Sequence, residues 1–98
     1  MGAMQHPPEE DIVLTRVLYA LSDEGRLAIV RRLGAKGVAT CAELEDGRPK
    51  SSMSHHFRVL RQCGVVRTEV AGTSHLNSLR REELDRRFPG VLAAILAV

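Results

Sequence analysis

The segment KSSMSHHFRVLRQCGVV, residues 50 to 66, gathers most of the side chains able to do chemistry: three serines, two adjacent histidines and two arginines, with no acid. Hydroxyl, imidazole and guanidinium groups so close together suit nucleophilic catalysis, metal ligation or hydrogen bonding to a polyanion. Catalysis lacks its partners, because no nucleophile elbow, Gly-rich phosphate loop or paired carboxylates accompany them. We therefore expect no enzyme. Metal ligation lacks its ligand set: His56, Cys63 and Cys41 have no characteristic spacing, so neither a metal nor another cofactor is expected. A thiol-responsive regulator using Cys41 and Cys63 remains an alternative.

Binding a polyanion fits best. On a helical wheel Met53, His56, Phe57, Leu60 and Cys63 fall on one inward arc, and Ser51, Ser54, His55, Arg58 and Gln62 fall opposite. The two histidines part: His56 looks in and His55 looks out. Short hydroxyls let a helix approach base edges while guanidiniums meet phosphates. We take Ser51, Ser52, Ser54 and His55 as base-facing candidates, and Lys50, Arg58, Arg61 and Arg67 as phosphate-facing ones.

Charge distribution agrees. The net charge is only +2, but residues 47 to 68 hold five bases and no acid, whereas residues 9 to 24 hold five acids and one Arg. A localised anion-binding surface is the implied pattern.

These side chains need a frame. The spacing of Leu14, Val17, Leu18 and Leu21 predicts a helix over 9–21, and Ser22 is placed to cap a second, DEGRLAIVRRL, ended by Gly34 and Gly37. Thr40 can cap a short helix, CAELED, and GRPK makes a turn before the helix at about 50–62, which Gly64 stops. Alternation from Val65 to Val70, the turn AGTS and the return HLNSL predict a β-hairpin. Helix resumes over 81–97, broken at Pro89-Gly90. The fold class is thus mainly α with a small β-hairpin: helix, turn, reading helix and wing, a winged helix-turn-helix. A winged helix serving as a protein-interaction module is the alternative, since the fold alone does not dictate DNA binding.

Ninety-eight residues bury a modest core, so a second copy is an expected partner. Ile12 and Tyr19 lie opposite the first helix's main stripe. With Val91, Leu92, Ile95 and Leu96 of the apolar tail they form the candidate dimer surface. Two cysteines make no disulfide framework, no signal sequence opens the chain, and VLAAILAV is too short to span a bilayer, so no membrane partner and a cytoplasmic location are expected. Residues 1–8, beginning MGAM, are set apart as disordered or cloning-derived, and residues 9–98 as the DNA-binding and dimerisation domain.

ALSDEGRLAIVRRL and SMSHHFRVLRQCGVVRTEVAG together resemble the ArsR-type (arsenic-repressor-like) winged-helix regulators, over about Leu18 to Leu92. Ser54 and His56 stand at the Ser and His of that family's reading-helix motif, Phe57 at a Leu and Gly64 at its Gly. The resemblance implies a homodimeric repressor, dimerising through its first and last helices and reading a palindrome in double-stranded DNA. The family's Cys-x-Cys is absent, since CAELED has a lone Cys41, and no His lies beyond His75. Metal release of DNA therefore does not carry over. The wing tip AGTS also lacks a base.

Overall fold

The computed structural model describes residues 2–98. In chain order these form β1 (Gly2–Ala3), a 3-10 turn (Glu9–Asp11), α1 (Leu14–Ala20), α2 (Glu24–Lys36), β2 (Val38–Thr40), α3 (Cys41–Glu45), α4 (Lys50–Gln62), β3 (Val66–Ala71), β4 (Ser74–Leu79), α5 (Arg81–Arg87) and α6 (Val91–Leu96). The expected winged helix is present. Its antiparallel sheet has the order β1-β3-β4-β2, with Thr68 opposite Asn77 and Val66 opposite Leu79 in the hairpin.

Local chemistry explains the helix-turn-helix. Thr40 and Glu43 cap α3 reciprocally: Glu43 N–H donates to Thr40 Oγ1 at 3.1 Å, and Thr40 N–H donates to Glu43 Oε1 at 2.8 Å. Asp46 and Gly47 then take positive φ, 51° and 77°, which ends α3 after its five residues and lets α4 start at Lys50, just past its N-cap Pro49. An Arg32–Asp46 ion pair at 2.8 Å ties this turn to α2. Ile29, Val30 and Leu33 of α2, Leu44 of α3, and Met53, Phe57 and Leu60 of α4 share one core with Val65 and Val66.

The first helix differs from expectation. Ile12 and Val13 are extended, and only Leu14–Ala20 is α-helical, so the buried face is Val17 and Ala20 while Leu14 and Leu18 are exposed. Placing Ile12 on a dimer surface is therefore wrong: it is 1 % exposed, seated beneath Gly64. Leu92, also predicted there, is buried in the protomer core. Asp23, not Ser22, caps α2, accepting from Arg26 N–H at 3.1 Å. The Arg26 side chain caps α1 in turn. Its Nε donates to Ala20 O at 2.7 Å and its Nη2 to Tyr19 O at 3.2 Å, which accounts for a guanidinium buried in so small a domain.

Two further differences concern the sheet. β2 was not predicted: three residues are too few for alternation to register, and pairing with β4 defines them. Residues 4 to 7, expected outside the fold, run along β3 instead, where Met4 N–H donates to Thr68 O at 3.0 Å and Arg80 Nη1 donates to Pro7 O at 2.7 Å.

Gly64 (φ 85°) stops α4, and a Cβ there would lie 2.6 Å from Ile12 Cγ1. Gly64→Ala combines backbone strain with that clash and should cost about 1 to 3 kcal/mol or more. Urea unfolding will check this; an unchanged midpoint would contradict the packing.

Candidate nucleic-acid interface

The buried face of α4 sets the direction of the other. Met53, Phe57 and Leu60 are in the core and Cys63 is buried beside them, as the wheel predicted. Val59 is buried too, so the inward arc is broader than those residues alone. The opposite flank, Ser51, Ser52, Ser54, His55, Arg58 and Gln62, is exposed, as is Lys50 at the helix start. No side chain caps α4, so its first-turn N–H groups have no side-chain acceptor, and the positive end of the helix dipole lies beside Lys50 and the serines.

Between α4 and the wing runs a trough. Ser54, Arg58 and Arg61 line its helix side, His75 and Met4 its wing side, with Cys41 and the acid Glu45 at its end. Arg61 is half-buried there. Burial, and then Arg58, hold its pKa below the usual arginine range, and it remains a cation. A network that the sequence reading missed fixes the wing to α3: Thr68 Oγ1 donates to Asn77 Oδ1 at 2.7 Å, and Asn77 Nδ2 donates to Ala39 O and Cys41 Sγ, each at 3.3 Å. A polar Asn in an otherwise alternating strand was the available signal.

Arg67 requires correction. Its Nη2 donates to Glu83 Oε2 at 2.6 Å, on the α5 side, so this guanidinium is already paired and is not a free phosphate ligand. Sixteen residues separate the two, and no local pattern connects them.

His56 sits at the junction of α4 and α2. Its Nε2 lies 3.7 Å from Asp23 Oδ1, its Nδ1 is buried without a hydrogen-bond partner, and a Cβ on Gly25 would crowd both His56 Nε2 and Arg48 Nη1. Burial pushes the imidazole pKa down; Asp23 opposes this, while Arg26, His55 and Arg48 add to it. The Asp23 carboxyl is itself held low, first by the Arg26 N–H and also by His56. Cys63 is buried and Cys41 half-buried, both as free thiols. Among the described residues no group of three His, Cys, Asp or Glu is placed to hold a metal ion.

The Tyr19 ring is exposed, with the Arg26 guanidinium 5.2 Å from its centroid. Val91, Ile95 and Leu96 are half-buried. Leu18, Leu21, Leu27, Arg31, Ile95 and Val98 line an open groove among α1, α2 and the end of α6.

Comparison with known proteins agrees with this geometry. The family described as "Helix-turn-helix domain" matches residues 21–69. The chain is 33% identical over 89 residues to the HTH-type transcriptional regulator YceK of Bacillus subtilis (strain 168), covering 88% of this chain and 89% of that one. It is 33% identical over 73 residues to the arsenical resistance operon repressor of Staphylococcus xylosus, covering 74% and 70%. Among solved structures it is similar to an ArsR family transcriptional regulator (TM-score 0.67, 27% identity, 85% and 87% covered). It is also similar to the transcriptional repressor BigR from Xylella fastidiosa (TM-score 0.62, 26% identity, 76% and 84% covered).

Protonating His56 would place a second N–H donor where burial offers Nδ1 no acceptor. Its folded pKa lies below the ordinary value of 6.5, so its contribution to stability is complete above 6.5 and is lost as pH falls from there toward the folded value. Ring titration by NMR should give a His56 midpoint below 6.5. A midpoint at or above 6.5 would contradict the burial.

Proposed function

The chain belongs to the ArsR-type family of winged helix-turn-helix transcriptional regulators, which bind DNA, and from that premise we propose that it is a homodimeric repressor whose α4 reads a palindromic operator. The observation that carries this reading is the exposed, acid-free flank of α4 beside an arginine-lined trough. Lys50 and the free N–H groups of the first turn meet the backbone as the helix enters a major groove. Ser51, Ser52, Ser54 and His55 face base edges. Arg58 and Arg61 hold the phosphates that pass along the trough, and the electrostatic share of binding comes from the counterions they release. Arg67 has no part in it.

Repression is supported by two relatives, each described as a repressor. Dimerisation is supported by the apolar surface that one protomer leaves open: Leu14, Leu18 and Tyr19 on α1 are exposed, and the groove with Ile95 and Val98 lies beside them. The candidate dimer surface thus keeps Tyr19, gains Leu14 and Leu18, and loses Ile12. Two reading helices related by a two-fold axis would enter major grooves about 34 Å apart. Among the described residues no helix is long and apolar enough to cross a membrane, and a DNA partner implies a cytoplasmic site of action.

Bound genomic fragments, selected and sequenced, should share a palindrome; enrichment without an inverted repeat would overturn the dimeric reading. Against that operator, Arg58→Ala should weaken binding to all sequences and reduce the logarithmic salt slope by about one. Ser54→Ala should instead change preference at one base position by about 1 kcal/mol, with the salt slope intact. Equal slopes for the wild type and Arg58→Ala would refute the phosphate assignment. Leu18→Glu, which puts a charge in the apolar surface, should shift the sedimenting species from dimer to monomer. An unchanged dimer would place the interface elsewhere.

A further inference from the structure

We propose that His6 is a protonation-controlled latch: its neutral ring holds residues 4 to 8 as a strap along the edge of β3, and acid releases that strap. Thr68 N–H donates to His6 Nε2 at 2.9 Å, so Nε2 must carry a lone pair and the ring's proton must sit on Nδ1. Thr68 is tied to the strap through its carbonyl as well, which accepts from Met4 N–H at 3.0 Å, and Arg80 Nη1 donates to Pro7 O at 2.7 Å. These bonds close a sheet edge that would otherwise present bare N–H and C=O groups.

The surroundings reject a charged ring. Arg61 from α4, Arg67 from β3 and Arg80 before α5 all act on His6. The one carboxylate in this group, Glu83 of α5, is already bonded to Arg67 at 2.6 Å and Arg80 at 3.0 Å. Three guanidiniums against one carboxylate leave the cluster positive before His6 gains a proton. Protonation removes the acceptor lone pair, turns Nε2–H toward Thr68 N–H, and adds a fourth cation. Burial first, then Arg67 and Arg80, hold the His6 pKa below 6.5, with only a Met4 backbone hydrogen bond opposing them. Because the folded value is lowered, the latch is fully closed above pH 6.5 and weakens as pH falls from there toward the folded value.

Release has a structural consequence at α4. Met4, Gln5 and His6 face Arg58, Arg61 and Gln62 across an open cleft, so losing the strap removes one wall beside those arginines. The latch does not depend on the regulatory reading, and its test needs no DNA.

Residue-resolved amide exchange on the full chain, corrected for the intrinsic pH dependence, reads the strap through Thr68. Below pH 6.5 the opening constant of the Thr68 amide should rise by about tenfold per pH unit, the slope of one coupled proton, until the folded pKa is reached. The Ile29 amide in the α2 core should not follow. His6→Gln keeps an acceptor oxygen near Nε2 but does not titrate, so Thr68 protection should persist and lose its pH dependence. The His6 ring of the wild type should titrate below 6.5. Thr68 protection that is flat with pH in the wild type, or that falls equally in His6→Gln, would overturn the latch, as would a His6 midpoint at or above 6.5.

Discussion

Burial of Met53, Phe57 and Leu60 against α2 and α3 is the constraint from which the rest of the interface follows. A helix has one degree of freedom that matters for reading DNA, its roll about its own axis, and large side chains fully removed from water fix it. Rotating α4 enough to bring Ser54 or His55 inward would expose those apolar groups and bury hydroxyl and imidazole without partners, both unfavourable by kcal/mol amounts. Gly64 completes the constraint at the far end, where the chain must turn over Ile12. Asp46 and Gly47 complete it at the near end by setting where α4 begins.

Electrostatics then sorts cations that sequence alone treats alike. Arg26 is buried and caps the end of α1, Arg67 and Arg80 share Glu83, and Arg86 pairs with Glu9. Arg58 on the exposed flank and Arg61 in the trough lack such a carboxylate among the described ion pairs, as do Arg16, Arg31, Arg48, Arg81 and Arg87; what sets Arg58 and Arg61 apart is their place on the acid-free strip of α4. A weakly positive chain can in this way present a strongly positive site, because its acids are used elsewhere in the fold.

The reading helix and the wing were legible because both are local: a 3.6-residue period around Met53 and Phe57, and a two-residue turn at Gly72-Thr73 between alternating strands. What was not legible depends on contacts across the chain. Ile12 reads as the outer face of a continuous helix until the extended backbone at residues 12 and 13 turns it under Gly64. Leu14 and Leu18 share a core stripe with Val17 by period, yet the short α1 buries Val17 with Ala20 and leaves the two leucines open. Arg67 reads as a free base until Glu83 meets it, and Asn77 as an ordinary strand residue until Thr68, Ala39 and Cys41 converge on it. Period and turn chemistry identify elements; they do not say which side chains from distant elements will meet.

Thiol footprinting tests the roll of α4 most directly. In a Cys41→Ser background, where Cys63 is buried, single Ser54→Cys and Ala35→Cys chains place one reactive thiol on the proposed groove-facing flank and one at the far end of α2. Both should be alkylated readily in free protein. Duplex DNA at low salt should protect position 54 and spare position 35, and raised salt should remove the protection. Equal alkylation of position 54 with and without bound DNA would mean that this flank of α4 does not enter the groove.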